Sequence, residues 1–126
     1  QKLIRETEEV SKTRTGMVLN IAMNYGGRNE IARAARLLAE KAVRGEIRPQ
    51  DIDEQAISEQ LYTVGQPDPD LLIRPSGEQR TSNFLLWQSA YAEYIIRDIL
   101  WPDFKPQDLE EALDEFSHRQ RRFGGV

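Results

Sequence analysis

The chain has 126 residues, 39% of them hydrophobic and 30% charged, with a formal net charge of -4. That length sets one domain or part of one, the acidic balance argues against a global basic field for nucleic acid, and no apolar run is long enough to span a bilayer. Cysteine is absent, which excludes disulfides and thiolate metal sites and fits a reducing cytoplasm, while arginine outnumbers lysine 13 to 4, a bias toward bidentate pairing.

The opening QKLIRETEEV has neither a signal-peptide nor an initiator context and reads as part of a helix, with Leu3, Ile4 and Val10 as its apolar face over residues 2–12. It points to a portion of a longer protein. Met17 to Met23 is an apolar run rich in strand formers, bounded by Gly16 and by Gly26-Gly27, and is expected to form a buried strand of parallel type. A helix is expected over Arg28–Arg44, with Ile31, Ala34, Ala35, Leu38 and Ala42 on one face and Gly45 as terminator. Asp53 is placed to cap a further helix through Leu61. Leu71 to Ile73 reads as a short strand, Asn83 to Tyr91 as a buried helix, and Tyr94 to Ile96 as a third strand ended by Trp101-Pro102. Pro106 opens the last helix, striped by Leu109, Ala112, Leu113 and Phe116. Alternating strands and helices predict an α/β fold, with a mostly parallel sheet and helices on both faces.

Two turns carry chemistry. NYGGR at 24–28 follows the first expected strand and opens a helix. Its double glycine fits a tight turn needing positive φ, or the close approach of a ligand at a strand's C-terminal end. RPSGEQRTSN at 74–83 follows the second strand. It combines Arg74, Arg80 and Ser82 with the N-terminus of the expected helix, a set suited to an anion; Glu78 is placed to pair with one arginine. Both turns are expected at the same edge of the sheet. Glu93 is read either as a paired structural carboxylate or as a metal ligand. His118, the single histidine, lies on a polar helix end and reads as solvated, and Trp87 and Trp101 read as core.

Taken together, LNIAMNYGGRNEI at 19–31, DLLIRPSGEQRTSNFLLWQSAYAEYIIRDILWPDF at 70–104 and RQRRFGG at 119–125 resemble the cis-prenyltransferase family, undecaprenyl diphosphate synthases above all. The resemblance implies that residues 1–126 are the C-terminal portion of a single catalytic domain. It implies a Mg²⁺-dependent enzyme, cytoplasmic or peripheral to the membrane, that adds isopentenyl diphosphate in cis to an allylic diphosphate such as farnesyl diphosphate. The product would be a membrane-associated polyprenyl carrier, and no nucleic acid is involved. Arg74, Arg80 and Ser82 would hold isopentenyl diphosphate, with Arg28 supporting them, and Glu93 matches the metal and diphosphate site. Arg122 and Gly124 match an R-x-G ending that reaches the partner's active site in a homodimer. The family's D-G-N-G-R-W block, with its metal-binding aspartate, is missing from these residues, so no catalytic residue is assigned here and the piece alone is expected to be inactive. Pro75-Ser76 stands where many members have Thr followed by Gly or Ser, which removes one N–H donor. The alternative is a non-catalytic partner subunit that lends its tail; retention of Arg74, Arg80 and Ser82 favours the enzyme.

Overall fold

The computed structural model describes residues 2–120. Among them the elements run α1 (Lys2–Ser11), α2 (Gly27–Val43), α3 (Glu54–Ser58), β1 (Leu71–Arg74), β2 (Glu93–Ile96) and α4 (Pro106–Ser117), with 3₁₀ turns at Pro49–Asp51 and Trp101–Asp103. The two strands pair in parallel, Leu71 opposite Glu93 and Arg74 opposite Ile96, as the α/β reading requires. Adjacent parallel strands need a long crossover. Here it is residues 75–92, and the arginine turn lies on it.

Local chemistry sets the helix ends. Past α2, the Gly45 N–H bonds the Ala42 carbonyl and the Glu46 N–H bonds that of Lys41, both at 3.0 Å. This paired closure needs a left-handed residue, and Gly45 supplies it at φ 73°. Asp53 caps α3 by accepting the Ala56 N–H at 2.8 Å, but α3 ends at Ser58 rather than Leu61 and continues as turns. At α4 the Asp108 carboxylate accepts the Lys105 N–H at 2.7 Å. The core consists of Ala34 and Leu38 of α2, Leu61, Ile95 of β2 and Ala112 of α4. On α2 the buried positions are Gly27, Glu30, Ala34 and Leu38, so the stripe is rotated from the expected one: Ala35 is exposed and a glutamate takes its place inside. Leu109 and Leu113 of the α4 stripe remain largely exposed.

Three expectations fail for physical reasons. Residues 17–23 form no strand, and Met17 is 92% exposed. A strand exists through its ladder, and the sheet of the described residues contains β1 and β2 alone; this segment is tethered instead by Asn20 Nδ2, which donates to Gln66 Oε1 at 2.6 Å. Residues 83–91 form a chain of turns, not a helix. Ser82, Asn83 and Leu85 have φ of 48°, 64° and 44°, which a right-handed helix cannot include. Trp101 is exposed and stacks on Phe104 with centroids 5.5 Å apart, whereas Trp87 is half-buried and its indole N–H donates to Ser58 Oγ at 3.0 Å.

Candidate functional site

The left-handed residues after Arg80 have a purpose visible at α2. Asn83 turns its carbonyl to accept the Gly27 N–H at 2.7 Å, and its side-chain Oδ1 accepts the Arg28 N–H at 2.9 Å. These are first-turn N–H groups, which no helical carbonyl reaches. The turns at 24–28 and 74–83 are therefore clasped together by Asn83, although no strand leads into the first of them. The expected anion-binding helix N-terminus after Asn83 does not exist; the helix that begins here is α2, and Asn83 already occupies two of its donors. The glycines act by close approach, not by positive φ. Gly26 lies at φ -157°, and the left-handed residue of this turn is Asn24, at φ 53°. A Cβ on Gly26 would meet Asn83 Nδ2 at 2.7 Å, and one on Gly27 would meet Leu86 N and Cγ at 3.0 Å.

The arginine turn is held from behind. Ser76 and Gly77 are both left-handed, at φ 69° and 65°, and their N–H groups donate to the carbonyls of Ile99 at 2.8 Å and Arg97 at 2.9 Å. Those donors thus face the segment after β2 and bind the protein itself. Side chains are the donors on offer. Arg74, the last residue of β1, donates from Nη2 to Ser82 Oγ at 3.0 Å. Its Nε is buried with no partner among the described residues. Ser82 accepts in that bond, which leaves its own O–H to donate elsewhere. Arg80 is paired with Glu78 at the surface, and is thus the arginine that Glu78 engages. The Arg28 side chain is exposed beside the clasp. The backbone of Arg28 and the Arg74–Ser82 pair are thus linked through Asn83, with Arg80 two residues before Ser82.

Glu93 is elsewhere. It opens β2 opposite Leu71, while Arg74 closes β1; three residue steps put the two about 10 Å apart along the ladder. Its Oε2 accepts from Arg119 Nη1 at 2.8 Å, Arg119 Nη2 reaches Glu115 Oε1 at 2.6 Å, and Glu115 Oε2 lies 3.2 Å from Arg97 Nη1. The bond from Arg119 holds the Glu115 carboxyl below the usual carboxylate range, and bonds to Glu93 and Glu115 raise the Arg119 guanidinium. No group of three His, Cys, Asp or Glu side chains suited to a metal occurs among the described residues. Arg122 and Gly124 lie outside the described residues. A cavity of about 270 Å³ lies beyond α3, lined by Ser58, Leu61, Thr63 and Gly65 among others; its lining includes none of Arg28, Arg74 and Arg80.

Three residues of this region were not anticipated: Asn83 as a clasp, and the buried pair Glu30 and Gln88. For Glu30 a signal existed, because positions 30, 34 and 38 repeat at the spacing of one helix face. For Asn83 none did, since Asn before an apolar run reads equally well as the cap of the helix that follows.

The chain matches, over residues 1–124, the family model described as "Putative undecaprenyl diphosphate synthase". It is 52% identical over 126 residues to an isoprenyl transferase of Clostridium perfringens, a match covering 100% of this chain and 50% of that protein. Among solved structures it resembles lavandulyl diphosphate synthase from Lavandula x intermedia in complex with dimethylallyl diphosphate, with a TM-score of 0.95 and 44% identity over 98% of this chain and 53% of that one. It also resembles a "probable undecaprenyl diphosphate synthase" from Campylobacter jejuni, with a TM-score of 0.81 and 32% identity over 98% and 55% of the two chains. The chain therefore spans about half the length of the relatives it matches.

Proposed function

The chain belongs to the family of undecaprenyl diphosphate synthases and isoprenyl transferases, and from that premise we propose that it is the C-terminal portion of a catalytic domain that adds isopentenyl diphosphate in cis to an allylic diphosphate. Its surface at Arg74, Arg80 and Ser82 then holds the diphosphate of isopentenyl diphosphate. The observation that carries this reading is the Arg74–Ser82 pair: a guanidinium bonded through Nη2 to a hydroxyl that keeps its own proton for donation. The complex of the lavandulyl enzyme with dimethylallyl diphosphate supports a prenyl diphosphate as the substrate class.

Arg74 and Ser82 present donors fixed before substrate arrives, so little reorganisation accompanies binding. Arg80 is kept within reach by Glu78; an exposed pair of this kind is weak and yields readily to a phosphate. Arg28 adds charge from the other side of the clasp. In the reaction, ionisation of the allylic diphosphate leaves an electrophile for the isopentenyl double bond, and these residues hold the attacking partner in place.

Mg²⁺ is implied by the family, where it would stabilise charge on the diphosphates. The described donors do not form such a site: Glu93 gives Oε2 to Arg119 and stands at the other end of the ladder from Arg74. No step is therefore routed through the ion. Arg122 and Gly124 are assigned to the neighbouring active site of a homodimer. A polyprenyl product would partition into membrane, although no helix of the described residues is long and apolar enough to cross one.

Steady-state kinetics of the intact protein test the site. Arg80→Ala and Arg74→Ala should each raise the KM for isopentenyl diphosphate by roughly 10- to 100-fold, the loss of one charge-assisted contact worth about 1.5–3 kcal/mol. Unchanged kinetics toward isopentenyl diphosphate in both variants would refute the assignment.

A further inference from the structure

Ser82 and Arg80 lie on a stretch of chain with few attachments. Upstream, the Gly77 N–H reaches the Arg97 carbonyl at 2.9 Å. From Glu78 to Ser82, the bond from Arg74 to Ser82 is the single hydrogen bond to another element among the described residues, and Glu78 and Arg80 pair with each other. The first anchor downstream is Asn83. Its carbonyl accepts the Gly27 N–H at 2.7 Å and its Oδ1 the Arg28 N–H at 2.9 Å. The next bonds to another element come at Trp87 and Gln88, whose side chains donate to Ser58 Oγ at 3.0 Å and to Glu30 Oε2 at 3.2 Å.

Asn83 is suited to this place in two ways. The Phe84 N–H bonds the Thr81 carbonyl at 3.0 Å and closes a tight turn around Ser82 and Asn83. Both central residues are left-handed, at φ 48° and 64°, and turns with two such residues favour asparagine. Serine keeps that conformation where its surroundings impose it. The side chain of Asn83 then supplies the second acceptor. A helix is ordinarily capped by the residue at its own N-cap. Here that residue is Gly26, which offers no side chain, and the acceptor comes from a residue 55 positions away. The start of α2 is also shaped to receive it: a Cβ on Gly26 would stand 2.7 Å from Asn83 Nδ2, and one on Gly27 3.2 Å from Asn83 O.

We propose that Asn83 is a positioning residue for isopentenyl diphosphate. Bonded twice to the start of α2, it holds the neighbouring Ser82 in its left-handed conformation against Arg74 and keeps Arg80 within reach. The double glycine serves as its receptor, so the close approach at this turn is made by the chain's own asparagine. The role rests on the reading of Arg74, Arg80 and Ser82 as the isopentenyl diphosphate site.

The test compares Asn83→Gly, Gly26→Ala, their double variant and Arg74→Ala in the intact protein, with isopentenyl and allylic diphosphates varied in turn. Circular dichroism first establishes that each variant is folded at the assay temperature. Asn83→Gly keeps the left-handed backbone and the main-chain carbonyl and removes Oδ1 alone. It should raise the KM for isopentenyl diphosphate about tenfold, because a modest displacement of binding groups is enough for such a loss. The KM for the allylic diphosphate should be unchanged. Gly26→Ala attacks the same bond from the other side, by pushing on Asn83 Nδ2, and should raise the same KM by a smaller factor. In the double variant the added Cβ meets no carboxamide, so the KM should be no higher than in Asn83→Gly. An unchanged KM for isopentenyl diphosphate in either folded single variant, with Arg74→Ala impaired, overturns the positioning role alone. So does a parallel change in both KM values, which marks general loosening, and so does a double variant whose loss is the product of the single losses. If one single variant does not fold, the other decides. If Arg74→Ala itself leaves the KM untouched, the site assignment fails, and the positioning role with it.

Discussion

Arg74 and Arg119 serve the same two-stranded sheet from opposite ends, and their partners differ in kind. Arg119 meets a carboxylate with each terminal nitrogen, Glu93 at the first residue of β2 and Glu115 on α4. Arg74, at the last residue of β1, meets a neutral hydroxyl with one nitrogen, and its buried Nε meets nothing among the described residues. The first cation is neutralised by the fold. On the proposed function, the second keeps its charge for the diphosphate. The two ends would look alike in an inventory of arginines; the chemistry of the partner separates the structural role from the proposed binding one.

The sharpest way to break this comparison is to keep the charge and remove the fork. Arg74→Lys retains one cation but loses the paired donors and Nε, so binding of isopentenyl diphosphate should weaken by about 2 kcal/mol. Arg119→Lys should change the same KM by no more than about twofold. Equal losses at the two positions would show that partner chemistry does not distinguish them.

A second variant probes why the binding end is ordered at all. Gly27→Ala places a Cβ 3.0 Å from Leu86 N and Cγ and 3.2 Å from Asn83 O. Two of those are backbone atoms, which cannot swing aside. Overpacking of this kind costs about 1–3 kcal/mol, against about 1 kcal/mol gained in helix propensity. Net destabilisation of about 1 kcal/mol in urea unfolding is expected, with a raised KM for isopentenyl diphosphate as the clasp opens. A variant as stable and active as the parent would mean that the close approach is incidental.

How much of this was legible in the sequence follows from which interactions are local. The helices Lys2–Ser11, Gly27–Val43 and Pro106–Ser117 and the strands Leu71–Arg74 and Glu93–Ile96 follow from periodicity, Pro106 and Gly45, because each depends on neighbours in the chain. The run Met17–Met23 shows the opposite case. Its composition favours a strand, but composition cannot supply the partner that a ladder needs. Asn83–Tyr91 fails differently: good apolar helix formers were overruled when Asn83 served the first N–H groups of α2, a contact 55 residues away. At the site, the residue types of Arg74, Ser82, Arg80 and Glu78 were readable in advance. The clasp and the Glu30–Gln88 bond were not, since both join residues far apart in sequence.

The smallest expected effect concerns the neutralised end and its dependence on pH. Glu115 titrates below the usual carboxylate range, chiefly because Arg119 donates to it. A carboxyl group whose folded pKa lies below its unfolded value adds stability that is complete above the unfolded pKa and disappears as pH falls through the folded one. Arg119 is shifted upward, so its contribution is intact throughout the neutral and acid range and adds nothing to the acid limb. Glu115→Gln should therefore melt slightly below the parent at neutral pH, and the two curves should converge once the pH drops beneath the carboxylate range. Both side chains are about a third or more exposed, so the gap should be small and should shrink further in high salt. The same variant should leave the KM for isopentenyl diphosphate unchanged. A gap that persists in strong acid, where the carboxylate is protonated, would show that its charge is not the source of the stabilisation, and the two ends of the sheet would then differ in less than their electrostatics.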